Sequence, residues 1–128
     1  MKKLVLSNLP KAWIMDIDGV ICEHNKYKEL KLNEFEPLLP GVKGFFERIS
    51  SSDFVILITS RKEKYRKQTE RSLKESGIRY DVLIMDLPVG ERILINDQKL
   101  SGLKTAFSVN LRRNEGLKHV DIVIDMEK

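Results

Sequence analysis

Three short apolar runs that break off into acids, amides or hydroxyls constrain this chain more than any other feature. Ala12-Trp13-Ile14-Met15-Asp16-Ile17 closes on Asp18-Gly19, Phe54-Val55-Ile56-Leu57-Ile58 on Thr59-Ser60-Arg61, and Ile93-Leu94-Ile95 on Asn96-Asp97. Unbroken apolar runs of this length suit strands covered on both faces in a parallel sheet. Between them the pattern turns helical. After Pro40-Gly41, the residues Val42, Phe45, Phe46 and Ile49 recur at helical spacing. Residues 62–76 predict a mostly solvated helix that carries Tyr65 and Leu73, begins at an N-cap on Ser60 and stops at Gly77. Further strands are expected over 81–85, 92–95 and 106–111, with Val120–Ile124 a sixth strand or a tail on a sheet edge. Residues 20–39 are polar and irregular and suit a small flap. Strands alternating with helices imply a three-layer α/β/α Rossmann-like sandwich with a mostly parallel sheet, because crossover helices cover both sheet faces.

The 128 residues are enough for one domain, 1–128, and the interval from Asp18 to Thr59 has room for a flap and one helix but not for a large cap. Hydrophobic residues make up 41% and charged residues 33%, and no window reaches the apolar length of a membrane span, so no membrane partner is expected. Met1-Lys2-Lys3-Leu4-Val5-Leu6 has the charge of a signal peptide, but Ser7 and Asn8 interrupt it and no small-residue cleavage site follows; it reads as mature sequence. The single cysteine, Cys22, cannot form an internal disulfide and lacks zinc-site spacing, which fits a cytoplasmic protein. A net charge of +4 favours anionic ligands without choosing nucleic acid over small phosphates.

In an open parallel sheet, ligands bind beyond the carboxyl ends of the strands, where the order of runs puts Asp16 and Asp18, Thr59, and Asn96 and Asp97. Carboxylates at i and i+2 of an extended chain share a side, so Asp16 and Asp18 can address one small site. A phosphate ester repels nucleophiles by its own charge. A divalent cation held by carboxylates offsets that repulsion, and Mg2+ suits hard oxygen ligands. One carboxylate can attack phosphorus while the other shuttles the proton. Thr59 offers a hydroxyl and an N–H to phosphate oxygens, and Asp97 can complete the metal shell.

The three motifs in this order resemble those of the haloacid dehalogenase (HAD) superfamily: Asp16-Ile17-Asp18-Gly19-Val20 is similar to its DxDG motif, Ile56-Leu57-Ile58-Thr59-Ser60-Arg61 to its second, and Ile93-Leu94-Ile95-Asn96-Asp97 to its fourth. The resemblance covers residues 12 to about 111. It implies a phosphatase with Asp16 as nucleophile and Asp18 as general acid/base and backbone ligand, Thr59 with Ser60 binding phosphate, and Mg2+ held by Asp16, Asp18, Asp97 and Asn96. Asn96 stands where the family usually has an acid and would bind through its amide oxygen. The third motif, a Lys or Arg steadying the phosphoryl group, has candidates in Arg92, Lys74 and Lys99, with Arg92 preferred. The absence of a large cap resembles phosphatases of surface-sugar biosynthesis, which implies a sugar phosphate or related metabolite and, by analogy, a homo-oligomer in which a neighbour serves as lid. The alternatives are a nucleic acid end phosphatase, read from the basic run over 61–74, a receiver-like domain, read from Asp81-Val82-Leu83-Ile84-Met85-Asp86, and a non-catalytic HAD-like domain, read from Asn96 and the lack of an unmistakable third motif. His24 reads as a flap residue within reach of substrate, His119 as surface, and Trp13 and Cys22 as packing residues.

Overall fold

The computed structural model describes residues 2–31 and 34–128. The fold is α/β with parallel strands. In chain order it comprises β1 (Lys2–Leu6), β2 (Ala12–Asp16), a 3-10 turn (Lys26–Glu29), α1 (Val42–Glu47), β3 (Phe54–Ile58), a 3-10 turn (Glu63–Tyr65), α2 (Arg66–Glu75), β4 (Val82–Ile84) and β5 (Val120–Ile124). Strands β2, β3 and β4 form one parallel sheet in that order, and β1 pairs in parallel with β5.

Register in the larger sheet is set by alternation. Met15, Leu57 and Leu83 lie in one row and are all buried, as is Val55 beside Trp13. The two helices follow from two crossovers made in the same direction, which places both on one face of the sheet when the connections are right-handed. Val42, Phe45 and Leu73 join the strand residues in a single core with Ile17, Ile21, Leu117 and Val120. Trp13 meets the Phe45 ring edge-on and donates its indole N–H to Asp53 Oδ2 at 2.9 Å, so it is a packing residue with its polar atom satisfied. Helix α2 buries Thr69, Ser72 and Leu73. It ends where the Ile78 and Gly77 amides bond back to the Leu73 and Lys74 carbonyls, a closure that needs the left-handed φ of +73° at Gly77.

Several expectations are corrected. Residues 92–95 and 106–111 are not strands: apolar β-formers become a strand only with a backbone partner, and these residues lie in an excursion that offers none. Lys2–Leu6, read only as a charged terminus, is a strand because β5 pairs with it along its whole length. Ser60 is no helix cap: α2 starts at Arg66 after the 3-10 turn, and the Ser60 hydroxyl donates to the Pro88 carbonyl instead. The expected flap contains the Lys26–Glu29 turn and an isolated antiparallel bridge between Cys22 and Leu38; its residues 32 and 33 lie outside the described residues.

The turn before β5 is fastened to the turn before α1. The Leu117 amide donates to the Pro40 carbonyl at 2.9 Å, and Gly116 sits at φ +78° with so little space that an added Cβ would stand 2.1 Å from that same carbonyl oxygen. Gly116→Ala is therefore expected to destabilise the protein by more than about 2 kcal/mol, left-handed strain adding to a backbone clash. Urea unfolding checks this, and an unchanged midpoint would show that the turn relaxes without cost.

Candidate functional site

Asp16 is the last residue of β2 and lies level with Ile58 at the end of β3 and with Ile84 of β4. The chain then folds tightly: the amides of Val20, Ile21 and Cys22 all converge on the Ile17 carbonyl, and Gly19 takes a φ of +86°. This loop holds Asp16 and Asp18 at the carboxyl edge of the sheet. Thr59 follows β3 directly, its amide bonded to the Ile84 carbonyl and its carbonyl to the Leu87 amide, so its hydroxyl is fixed at the same edge. That hydroxyl donates to Asp18 Oδ2 at 3.1 Å.

Arg61 organises the site from beneath. Its side chain is fully buried, yet every polar atom is engaged: Nε and Nη2 donate to the Asp18 carboxylate, Nη2 and Nη1 to Glu36 at 2.6 and 2.8 Å, and Nη1 also to the Thr69 hydroxyl at 3.0 Å. Its guanidinium lies 4.1 Å from the centroid of the Tyr27 ring. Burial alone would lower the pKa of Arg61, but the hydrogen bonds it donates to Glu36 and Asp18 outweigh it and raise the value. One cation between two carboxylates, planar and forked, is a role that lysine cannot fill.

Asp16 is held differently. Its Oδ1 accepts the neighbouring Ile17 amide at 2.9 Å, and no other hydrogen bond engages its carboxylate among the described residues. Burial raises its pKa above the ordinary carboxylate value and the Asp18 charge adds to this, while the Ile17 amide, Arg92 and His24 oppose it. The charges of Arg92 and His24 thus act on Asp16. Arg92 also donates to Ser60 Oγ at 3.2 Å and to the Pro88 and Gly90 carbonyls at 2.8 Å. Of the three candidates for the steadying cation, Arg92 is the one whose charge acts on Asp16; Lys74 lies on α2 beside Ile78 and Arg79, and Lys99 is exposed far along the chain excursion.

Asn96 and Asp97 stand elsewhere. Both are exposed; the Asn96 amide donates to Thr105, and the Asp97 carbonyl accepts the Thr105 hydroxyl. Among the described residues no three His, Cys, Asp or Glu side chains come together to hold a metal, so Asp97 does not join Asp16 and Asp18. Mg2+ keeps several waters and commonly takes only one or two protein carboxylates plus substrate phosphate, and the free oxygen of Asp16 is a donor of that chemical kind. The Asp18 carboxylate is already occupied by Thr59 and Arg61.

Three contributors escaped the sequence reading. Glu36 gave no signal beyond being a lone acid between Phe35 and Pro37, and Arg61 was visible only as part of the second motif. Asn114, in a left-handed conformation, donates its amide to the Gly19 carbonyl and accepts the His24 amide on Oδ1 at 2.7 Å, clamping the loop that carries Asp18. Cys22 is buried under this loop with its thiol pushed up to about 12, mainly by burial, which leaves it inert.

Comparison of the chain with protein-family models, with curated proteins and with solved structures gives no match. Among the described residues no helix is long and apolar enough to cross a membrane.

Proposed function

We propose that this chain is a Mg2+-dependent phosphomonoester hydrolase that forms an aspartyl-phosphate on Asp16, a small HAD-type phosphatase without a large cap, acting on a sugar phosphate or related metabolite in the cytoplasm. The finer fold reading, a three-layer Rossmann-like sandwich, goes with this proposal. The observation that carries it is the contrast between the two carboxylates at the sheet edge: Asp16 keeps a free oxygen, whereas Asp18 is held by Arg61 and Thr59. A nucleophile needs a free lone pair, and a proton shuttle needs a fixed position.

In this reading an Asp16 oxygen attacks phosphorus in line, Asp18 enters the cycle protonated, its proton replacing one of its bonds from Arg61, and passes that proton to the leaving ester oxygen, and the phosphoryl group remains on Asp16. Asp18 then takes a proton from water, which attacks the acyl phosphate and frees Asp16 and inorganic phosphate. Arg92 and the edge hydroxyls of Thr59 and Ser60 steady the phosphoryl oxygens. Mg2+, when bound, neutralises phosphoryl charge as a Lewis acid. The receiver-like alternative draws less support, because Asp86 is half exposed and its carboxylate pairs with Lys62 at 3.0 Å.

The test is phosphate release from sugar phosphates, nucleotides and end-phosphorylated oligonucleotides, with Mg2+ and with chelator. Chelator-sensitive release from sugar phosphates is the expected result. Release from oligonucleotides alone would favour the end phosphatase, and no release from any substrate would favour a non-catalytic binding domain.

A further inference from the structure

We infer that two copies of this chain exchange the arm formed by residues 88–108, each arm covering the apolar sheet face of the other copy. Both halves of that contact lie open in the single chain. On the sheet, α1 and α2 pack against the face that carries Met15, Val55, Leu57 and Leu83. The opposite face shows Ile14, Phe54, Val82 and Ile84, between 37% and 49% exposed. Parallel sheets are found with both faces covered, so this face lacks its layer.

The arm supplies the matching surface. Every residue from Pro88 to Gly102 is exposed, and Val89, Ile93, Ile95 and Leu100 range from 82% to 108%. A run of β-branched and aliphatic side chains so placed marks an interaction surface. It turns back on itself at Lys99 and Leu103, whose backbones are bonded, and Asn96 reaches across to Thr105. The arm does not lie on its own sheet, since both surfaces remain open. At its base Arg92 is tied to Pro88, Gly90 and Ser60 at the carboxyl edge, which leaves the apolar length projecting. The seven residues 85–91 between β4 and the apolar run at 92–95 are also fewer than the dozen or so that a parallel return beside the sheet requires.

The occupant that fits is a second copy. Its arm and its sheet face are complementary to these two surfaces at once, giving a closed two-fold exchange rather than an open chain of contacts. At roughly 100 Å² for each large apolar side chain of the arm, and about half that on the receiving face, a reciprocal exchange buries on the order of 1,500 Å². Stable interfaces bury about that much.

The experiment is light scattering on the eluting protein, wild type against Ile93→Glu/Ile95→Glu. Both positions are exposed, so the substitutions leave the monomer's core untouched, which far-ultraviolet circular dichroism verifies. A wild-type dimer whose dissociation constant weakens at least about 100-fold in the variant is expected. A monomeric wild type, or a dimer that survives the variant, would overturn the exchange. A second pair, Ile84→Cys with Ile95→Cys, is expected to give a dimer covalently joined between copies by a bismaleimide, Cys22 being buried and silent; a link within one chain would place the arm on its own sheet and overturn the proposal. Neither readout uses catalysis, so failure of the phosphatase reading leaves this test intact.

Discussion

Asp16→Asn is expected to lower phosphate release by at least about 10³-fold, because the amide has no anionic oxygen to attack phosphorus and no other side chain at the sheet edge can replace it. The fold should survive, and its stability should rise slightly. The sign follows from burial: Asp16 is held above its ordinary pKa, so folding costs free energy when the group is ionised. That cost is present at neutral pH and is relieved as pH falls through the raised value. An amide removes it at every pH. The paired measurement is turnover on the substrate found in the release assay together with a thermal melt from acid to neutral pH. Activity lost with an equal or higher melting temperature assigns Asp16 to the chemistry, as nucleophile or metal ligand; activity retained removes it from the nucleophile's role, and activity lost with a collapsed melt assigns it to structure.

Much of this site was legible because its parts sit where strands end. Asp16, Asp18 and Thr59 could be placed together from the two apolar runs that precede them, since a parallel sheet aligns the carboxyl ends of neighbouring strands and the register pairs Asp16 with Ile58. The same reasoning misplaced Asn96 and Asp97. Ile93-Leu94-Ile95 has the composition of a buried strand, but composition states only that these side chains suit a pleated, covered surface. It does not state which chain provides the cover. The parallel pairing of β1 with β5 was hidden for the opposite reason: Lys2 and Lys3 dilute the apolar signal of a strand whose partner lies more than a hundred residues away. Glu36 was the hardest to see. A buried acid is recognisable only through its counter-ion, and Arg61 meets it across 25 residues of separation with no periodicity to connect them.

That pair predicts the second large effect. Arg61→Met is expected to destabilise the protein by about 3–5 kcal/mol, because it leaves Glu36, almost wholly buried, without its cation and releases Asp18. Most of the cost is the stranded Glu36 charge rather than the loss of attraction itself. Arg61→Met combined with Glu36→Leu should therefore recover much of the stability of the single variant, since a packed apolar pair of similar volume replaces the ion pair. The recovery would not restore catalysis: Asp18 keeps only the Thr59 hydroxyl as a fixed partner, so turnover should stay low while substrate affinity changes little. Urea unfolding of the two single variants and the double variant gives the coupling directly. A coupling of about 2 kcal/mol or more establishes that Arg61 and Glu36 act as a unit, whereas costs that add to within about 0.5 kcal/mol would mean that Asp18, Thr69 and Tyr27 hold Arg61 without Glu36.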